Sequence, residues 1–178
     1  MKVITGSLRG RNLDTLGGDD VTRPTTQNTK EALFSSIQFE IEGRRVLDLF
    51  AGSGQLGVEA ISRGARHCTF VESNKNAYKI VQRNIEKCNI EDKCRLVLGE
   101  AKSFLMKKDC FDIAFVDPPY HKGIIEECLP PLTKMMSDDG VIVCESAKDE
   151  TMPQEVNSWC IAREKHYGKT KLTYYRKG

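Results

Sequence analysis

The chain has 178 residues, 39% hydrophobic and 29% charged, with a formal net charge of +2. That is an ordinary globular balance, long enough for one well-buried domain and short for two. No apolar stretch approaches the roughly 20 residues of a membrane helix, and residues 1–6 lack the apolar core of a signal peptide, so a cytoplasmic protein without a membrane partner is expected.

The net charge does not announce a nucleic-acid binder, yet cations gather at both termini. Lys2, Arg9, Arg11, Arg23 and Lys30 lie at one end, and Arg163, Lys165, Lys169, Lys171, Arg176 and Lys177 at the other. In chain order, Gly6 and Gly10 among alternating residues over 3–13 predict a short β-hairpin. Gly17-Gly18-Asp19-Asp20 is a loop that sets this extension off from the body. Ala32, Leu33 and Ile37, with Phe34 adjacent, give helical spacing over 29–39, with Asn28 or Thr29 as N-cap.

From residue 45 the pattern alternates. Val46-Leu47-Asp48-Leu49-Phe50 is an apolar run of strand length, and Leu56, Val58, Ala60 and Ile61 follow among helix formers. Cys68-Thr69-Phe70-Val71-Glu72 is a second strand, followed by Ala77, Ile80, Val81 and Ile85 at helical spacing. Arg95-Leu96-Val97-Leu98 is a third strand before a short helix over 101–107. A fourth strand covers 112–116. The helix over 124–136 carries Pro130-Pro131, which should kink or split it. Gly140 breaks the chain before a fifth strand, Val141-Ile142-Val143-Cys144-Glu145.

Such alternation with short links predicts an α/β, Rossmann-like fold, a mostly parallel sheet with helices on both faces. Residues 159–167 and 170–176, joined by Gly168-Lys169, read as a terminal antiparallel hairpin that brings the sheet to seven strands. That ending separates a methyltransferase-type sheet from a plain dinucleotide-binding one. The seven cysteines are odd in number and none is spaced Cys-x-x-Cys. They read as reduced, mostly buried small hydrophobes, and His67-Cys68 has no second pair to complete a metal site.

Ligands of open α/β sheets bind beyond the carboxyl ends of the strands. The polar residues there are Asp48 with the glycine loop, Glu72, Gly99-Glu100, Asp117 and Glu145. Gly52 and Gly54 let the backbone turn tightly and approach a ligand, and Gly57 completes a Gly-x-Gly-x-x-Gly pattern. Glu72, 18 residues after Gly54, is placed to accept both ribose hydroxyls of an adenosine. These features suit a nicotinamide dinucleotide and S-adenosylmethionine equally.

Asp117-Pro118-Pro119-Tyr120 breaks the tie. A base amino nitrogen has its lone pair delocalised into the ring and is a poor nucleophile. Two acceptors aimed at its hydrogens, the Asp117 carboxylate and the Pro118 carbonyl, draw it toward tetrahedral geometry. The paired prolines preorganise that carbonyl, and Tyr120 can stack on the base for roughly 1–3 kcal/mol. The chemistry expected is methyl transfer to a nucleobase nitrogen.

Four stretches carry a narrower resemblance. They are Ile4-Thr5-Gly6-Ser7-Leu8-Arg9-Gly10-Arg11, Arg23-Pro24-Thr25-Thr26, Asp48-Leu49-Phe50-Ala51-Gly52-Ser53-Gly54-Gln55-Leu56-Gly57, and Phe115-Val116-Asp117-Pro118-Pro119-Tyr120. Together they resemble the bacterial RsmD family of class I S-adenosylmethionine-dependent methyltransferases, which act on N2 of a guanine in small-subunit (16S) ribosomal RNA. The chain departs from the family at Gln27-Asn28 and Lys30-Glu31, and Glu100 stands where the family has Asp.

The resemblance implies a class I methyltransferase fold, with 1–28 as an RNA-contacting hairpin extension and 29–178 as the methyltransferase domain. It implies S-adenosylmethionine, leaving as S-adenosylhomocysteine, held by Asp48, Ala51, Gly52, Ser53, Gly54, Glu72, Glu100, Ala101 and Asp117, with no metal. Asp117, Pro118 and Tyr120 would be catalytic. Arg9, Arg11, Arg23 and Thr25 would contact nucleic acid, Arg23 alternatively orienting the cofactor. The substrate implied is 16S rRNA, within the assembled small subunit, with the protein acting as a monomer. The competing readings are a DNA amino-methyltransferase (adenine N6 or cytosine N4), for which no sequence-reading insertion is present, and a protein-glutamine methyltransferase, which Asp117 in place of Asn disfavours. A nicotinamide oxidoreductase would leave Asp-Pro-Pro-Tyr without a role, and the intact motif set speaks against a non-catalytic RNA-binding protein.

Overall fold

The computed structural model describes residues 1–17 and 27–178. Its elements are α1 (Gln27–Ser36), β1 (Arg45–Asp48), α2 (Gln55–Ser62), β2 (His67–Glu72), α3 (Lys75–Cys88), β3 (Cys94–Leu98), α4 (Ala101–Phe104), β4 (Phe111–Val116), α5 (Ile124–Thr133), β5 (Met136–Ala147), β6 (Glu155–Val156), β7 (Trp159–Tyr167) and β8 (Thr170–Lys177). The strands form one sheet in the order β3-β2-β1-β4-β5-β8-β7-β6. The first five are mutually parallel, and β8 enters antiparallel between β5 and β7. The seven expected strands are joined by an eighth, the two-residue edge strand β6.

Alternation along the central strands supplies both faces of the sheet. Val46, Ile113, Phe115, Val141 and Val143 point into the core shared with α1, α2, α3 and the N-terminal segment. Leu47, Ala114, Val116, Ile142 and Cys144 point into the core shared with α4 and α5. Because each strand is buried on both sides, it reads as a continuous apolar run. Of the cysteines, Cys68, Cys88, Cys128 and Cys144 are buried, and all seven are free thiols.

Three local expectations are corrected, and the N-terminal hairpin is met in minimal form. Asn28 and Thr29 lie inside helix α1 rather than capping it, and Thr29 is buried. The N-terminal hairpin is minimal: its arms share one antiparallel bridge, Lys2 with Asn12, and Val3 N–H donates to the Arg11 carbonyl (2.9 Å), Gly10 N–H to the Val3 carbonyl (2.9 Å) and Leu13 N–H to the Met1 carbonyl (2.7 Å). The turn between the arms is also anchored on α2: the N–H groups of Ile4 and Thr5 donate to Glu59 at 2.8 and 3.0 Å, and that of Ser7 donates to the Ser62 carbonyl at 2.8 Å. Helix α5 is neither split nor extended to 136. It runs through Pro130-Pro131 and ends at Thr133, the prolines lying near its C-terminal end. Gly140 lies within β5 rather than before it, at an irregularity in the β4 pairing, where a Cβ would come within 2.8 Å of the Asp112 carbonyl oxygen.

Candidate active site

The site forms where β1 and β4 lie side by side. From β1 the chain proceeds outward to β2 and β3, and from β4 in the opposite direction to β5, which opens a crevice at their carboxyl ends. The chain leaving β1 is held on both sides: Leu49 N–H donates to the Phe115 carbonyl (3.1 Å) and Ala51 N–H to the Val71 carbonyl (3.0 Å). Gly52 and Gly54 then adopt φ of 58° and 79°, a region costly for L side chains. A Cβ at Gly52 or Gly99 would meet no protein atom within 4 Å. Both backbones therefore border open space, the cradle that close approach of a ligand requires. Gly57 serves packing instead, since a Cβ there would come within 2.2 Å of the Phe70 ring.

Asp48 sits beneath this loop rather than at its rim. It is buried, and its carboxylate accepts the Gly57 N–H at 3.0 Å, fixing the first turn of α2. Burial lifts its pKa to about 7 against the lowering effect of that bond, and the Glu72 carboxylate adds to the rise. Glu72, half-buried at the end of β2, accepts the Gly52 N–H through Oε2 and the Asn74 N–H through Oε1, each at 2.8 Å. A carboxylate oxygen has a second lone pair, so both remain able to accept ligand hydroxyls. Asn74 in turn caps α3, accepting from the N–H groups of Asn76 and Ala77. Gly99 N–H donates to the Glu72 carbonyl (3.0 Å), bringing exposed Glu100 and buried Ala101 to the same rim.

On the other side of the crevice, Asp117 is half-buried, Pro118 buried and Pro119 exposed. The Tyr120 hydroxyl donates to Glu145 Oε1 at 2.8 Å and lies 3.2 Å from Thr170 Oγ1. Burial, then the Glu145 carboxylate, raises the phenol's pKa. The next residue, His121, has φ of 58° and donates its N–H to Glu150 at 3.0 Å. Pro118, Pro119, Tyr120, Ile125, Glu145 and Glu150 line a small recess here.

Arg9 and Arg11 are exposed on the N-terminal segment, Arg11 donating to the Lys87 carbonyl at 3.2 Å. Arg23 and Thr25 lie outside the described residues. Among the described residues no three His, Cys, Asp or Glu side chains are grouped to hold a metal ion.

Of three buried polar residues that support this architecture, Asn84 and Glu59 were not singled out from the sequence, and Lys30 was counted there among the terminal cations but is buried. Asn84 accepts the Asp14 N–H (2.8 Å) and donates to the carbonyls of Asp14 (3.0 Å) and Ser53 (2.8 Å), joining the N-terminal segment to the glycine loop. Lys30 Nζ lies 3.3 Å from Glu59 Oε2, and Arg63 Nε lies 2.9 Å from Glu59 Oε1. The signal was available for two of them. Asn84 interrupts the apolar stripe of Ala77, Ile80, Val81 and Ile85, and Lys30 stands one turn before Leu33 and Phe34.

The parallel sheet, the antiparallel strand β8 beside β5, the glycine turn after β1 and the acid ending β2 define a class I S-adenosylmethionine-dependent methyltransferase fold. The family model described as Conserved hypothetical protein 95 matches residues 1–176, and the chain belongs to this family, the RsmD family. YlbH of Bacillus subtilis (strain 168) is 36% identical over 183 residues, 99% of each chain. Ribosomal RNA small subunit methyltransferase D of Escherichia coli (strain K12) is 33% identical over 180 residues, 99% of this chain and 90% of that one. The solved structure of yhhF from Escherichia coli superposes with a TM-score of 0.89 at 34% identity, covering 99% of this chain and 98% of that one.

Proposed function

We propose that the protein transfers a methyl group from S-adenosylmethionine to the exocyclic N2 of a guanine in 16S rRNA, acting as a cytoplasmic monomer on the assembled small subunit. The observation that carries this reading is the pairing of Asp117-Pro118 at the end of β4 with the open glycine turn at the end of the adjacent β1. The near full-length likeness to a small-subunit rRNA methyltransferase directs it to ribosomal RNA.

The open face at Gly52 and Gly99 and the half-buried Glu72 carboxylate fit an adenosine-containing ligand. Ala51, Gly52, Ser53 and Gly54 would border the cofactor, Glu72 would accept its ribose hydroxyls, and Glu100 and Ala101 would border the adenine. When bound, the cofactor supplies an electrophilic methyl group, and S-adenosylhomocysteine leaves. Asp48 holds the loop from below. The target guanine must leave its stack to enter. The Asp117 carboxylate and the Pro118 carbonyl would accept hydrogen bonds from the two N2 hydrogens and localise the lone pair on nitrogen, one of these protons would pass to solvent once the N–CH3 bond forms, and the Tyr120 ring would lie against the base. Residues 1–28 form the extension through which Arg9, Arg11, Arg23 and Thr25 hold RNA, Arg23 alternatively serving the cofactor, and 29–178 carry the chemistry.

The test uses purified protein with methyl-labelled S-adenosylmethionine and small subunits from a strain lacking this enzyme. Label is expected in 16S rRNA, recovered as N2-methylguanosine on nucleoside mass mapping. Label on adenine N6 or cytosine N4 of duplex DNA, or on protein glutamine, with none on rRNA would replace this reading with one of its rivals.

A further inference from the structure

The loop after β4 is fastened by two acids from the end of β5 and the chain just beyond it, and neither has been given a part in methyl transfer. Glu145 takes the Tyr120 hydroxyl at 2.8 Å, with Thr170 Oγ1 3.2 Å away. Glu150 takes the His121 N–H at 3.0 Å through Oε1 and the Ala147 N–H at 2.7 Å through Oε2. The Glu150 carbonyl accepts Lys171 Nζ at 2.6 Å, so the start of β8 joins the same assembly. His121 is the outlier that draws attention to this arrangement. It is a non-glycine residue at φ 58°, immediately after the Asp-Pro-Pro-Tyr motif. A left-handed L residue costs roughly 1–2 kcal/mol, and such strain persists only where surrounding contacts over-determine it.

We propose that Glu145 and Glu150 are positioning residues for methyl transfer, fixing the Asp117-Pro118-Pro119-Tyr120 loop in the shape the reaction needs. The assignment rests on the proposed function above. Glu145 acts on the ring: with its hydroxyl tied, Tyr120 has little freedom to swing, so a base meets a preformed platform and less side-chain entropy is lost on binding. Glu150 acts on the backbone: one carboxylate joins the loop after β4 to the last residue of β5, holding the turn at His121. That turn sets where the Pro118 carbonyl and the Asp117 carboxylate point. Neither acid touches the base.

A merely structural role would lower stability and leave the catalytic step alone; positioning does the reverse. The test therefore reads kcat on unmodified small subunits, cofactor Kd by calorimetry, melting temperature, and amide hydrogen exchange at His121, all in the full-length protein. Glu145→Ala and Tyr120→Phe remove the same hydrogen bond. Each is expected to lower kcat about 10-fold, with cofactor Kd within about 2-fold, and the double variant is expected to be no slower than the slower single. Glu145→Gln keeps an acceptor and is expected to recover most of the rate. Glu150→Ala is expected to speed His121 amide exchange at least about 10-fold while amides of β4 keep their protection.

Additive losses in the double variant, or a Glu145→Ala enzyme at the wild-type rate, would overturn the role of Glu145. Unchanged His121 exchange in Glu150→Ala would overturn that of Glu150. If the wild type methylates no rRNA, the functional reading falls, and the same kcat series on whichever substrate is methylated, with the substrate-free exchange measurement, decides the positioning roles.

Discussion

Glu59 and Glu72 each accept a pair of backbone N–H groups, and they serve opposite ends. Glu59 on α2 is fully buried, takes the N–H groups of Ile4 and Thr5, and is flanked by Lys30 and Arg63. Glu72 at the end of β2 takes the N–H groups of Gly52 and Asn74 but is only half-buried, beside a backbone that borders open space. The first has its bonding capacity filled by the protein, with two cations to offset its charge. The second is oriented by the protein and keeps lone pairs for something else. A buried, saturated charge cluster is architecture; an oriented acid at an open strand end is a site.

The comparison is tested most severely at the site. Asp117→Ala removes one of the two acceptors for the amino hydrogens and should reduce methyl transfer by at least about 10³-fold, roughly 4 kcal/mol in the barrier. Cofactor affinity by calorimetry should stay close to wild type. Retained activity would remove Asp117 from the chemistry. At the architectural end, Glu59→Gln leaves Lys30 buried without its carboxylate and should lower stability by about 3–5 kcal/mol. Burial already depresses the Lys30 pKa despite the neighbouring carboxylate. Adding Lys30→Met should restore much of that loss, because the stranded cation is what costs. A Glu59→Gln protein with an unshifted urea midpoint would erase the distinction between the two acids.

The legibility of the chain follows the same division. Strand-end motifs stood out because their residue types are unusual for their place: glycines opening a helix, an acid ending an apolar run, and two prolines after a strand. The central parallel strands were legible as apolar runs because both of their faces are covered, whereas edge strand β3 is only partly buried. The N-terminal segment was read as a hairpin from its alternation and glycines. Its arms do pair, but its docking on α2, 50 residues and more away, was not read: there Gly6 packs so closely that a Cβ would come within 1.8 Å of the Ser62 carbonyl oxygen. Nothing local encodes that approach. Gly140 was read as a break and the paired prolines as a kink or split, but β5 runs through the first and α5 is not split at the second. Tyr120 was recognised for its ring, whereas its hydroxyl bond to Glu145 joins strand ends 25 residues apart that only the folded sheet brings together.

Asp48 lies between the two kinds of acid, and its titration gives the smallest and most specific test. It belongs to the site by sequence and to the core by burial. Its folded pKa is about 7 against an ordinary 3.8, because burial disfavours the anion more than the Gly57 N–H favours it. The sign follows from linkage: the folded state holds the proton more tightly than the unfolded chain. The associated stability is therefore fully present below about pH 4 and is lost as pH rises through 7. Asp48→Asn keeps an oxygen acceptor for Gly57 and has no proton to lose. Between pH 5 and pH 8 the wild type should therefore lose roughly 3 kcal/mol relative to Asp48→Asn, about 1.4 kcal/mol for each pH unit up to the folded pKa. Thermal melts of the two proteins across that range measure the difference directly. Curves that run parallel would mean that Asp48 is ionised throughout and stabilised as an anion, which would move it from the core to the ligand-facing group with Glu72.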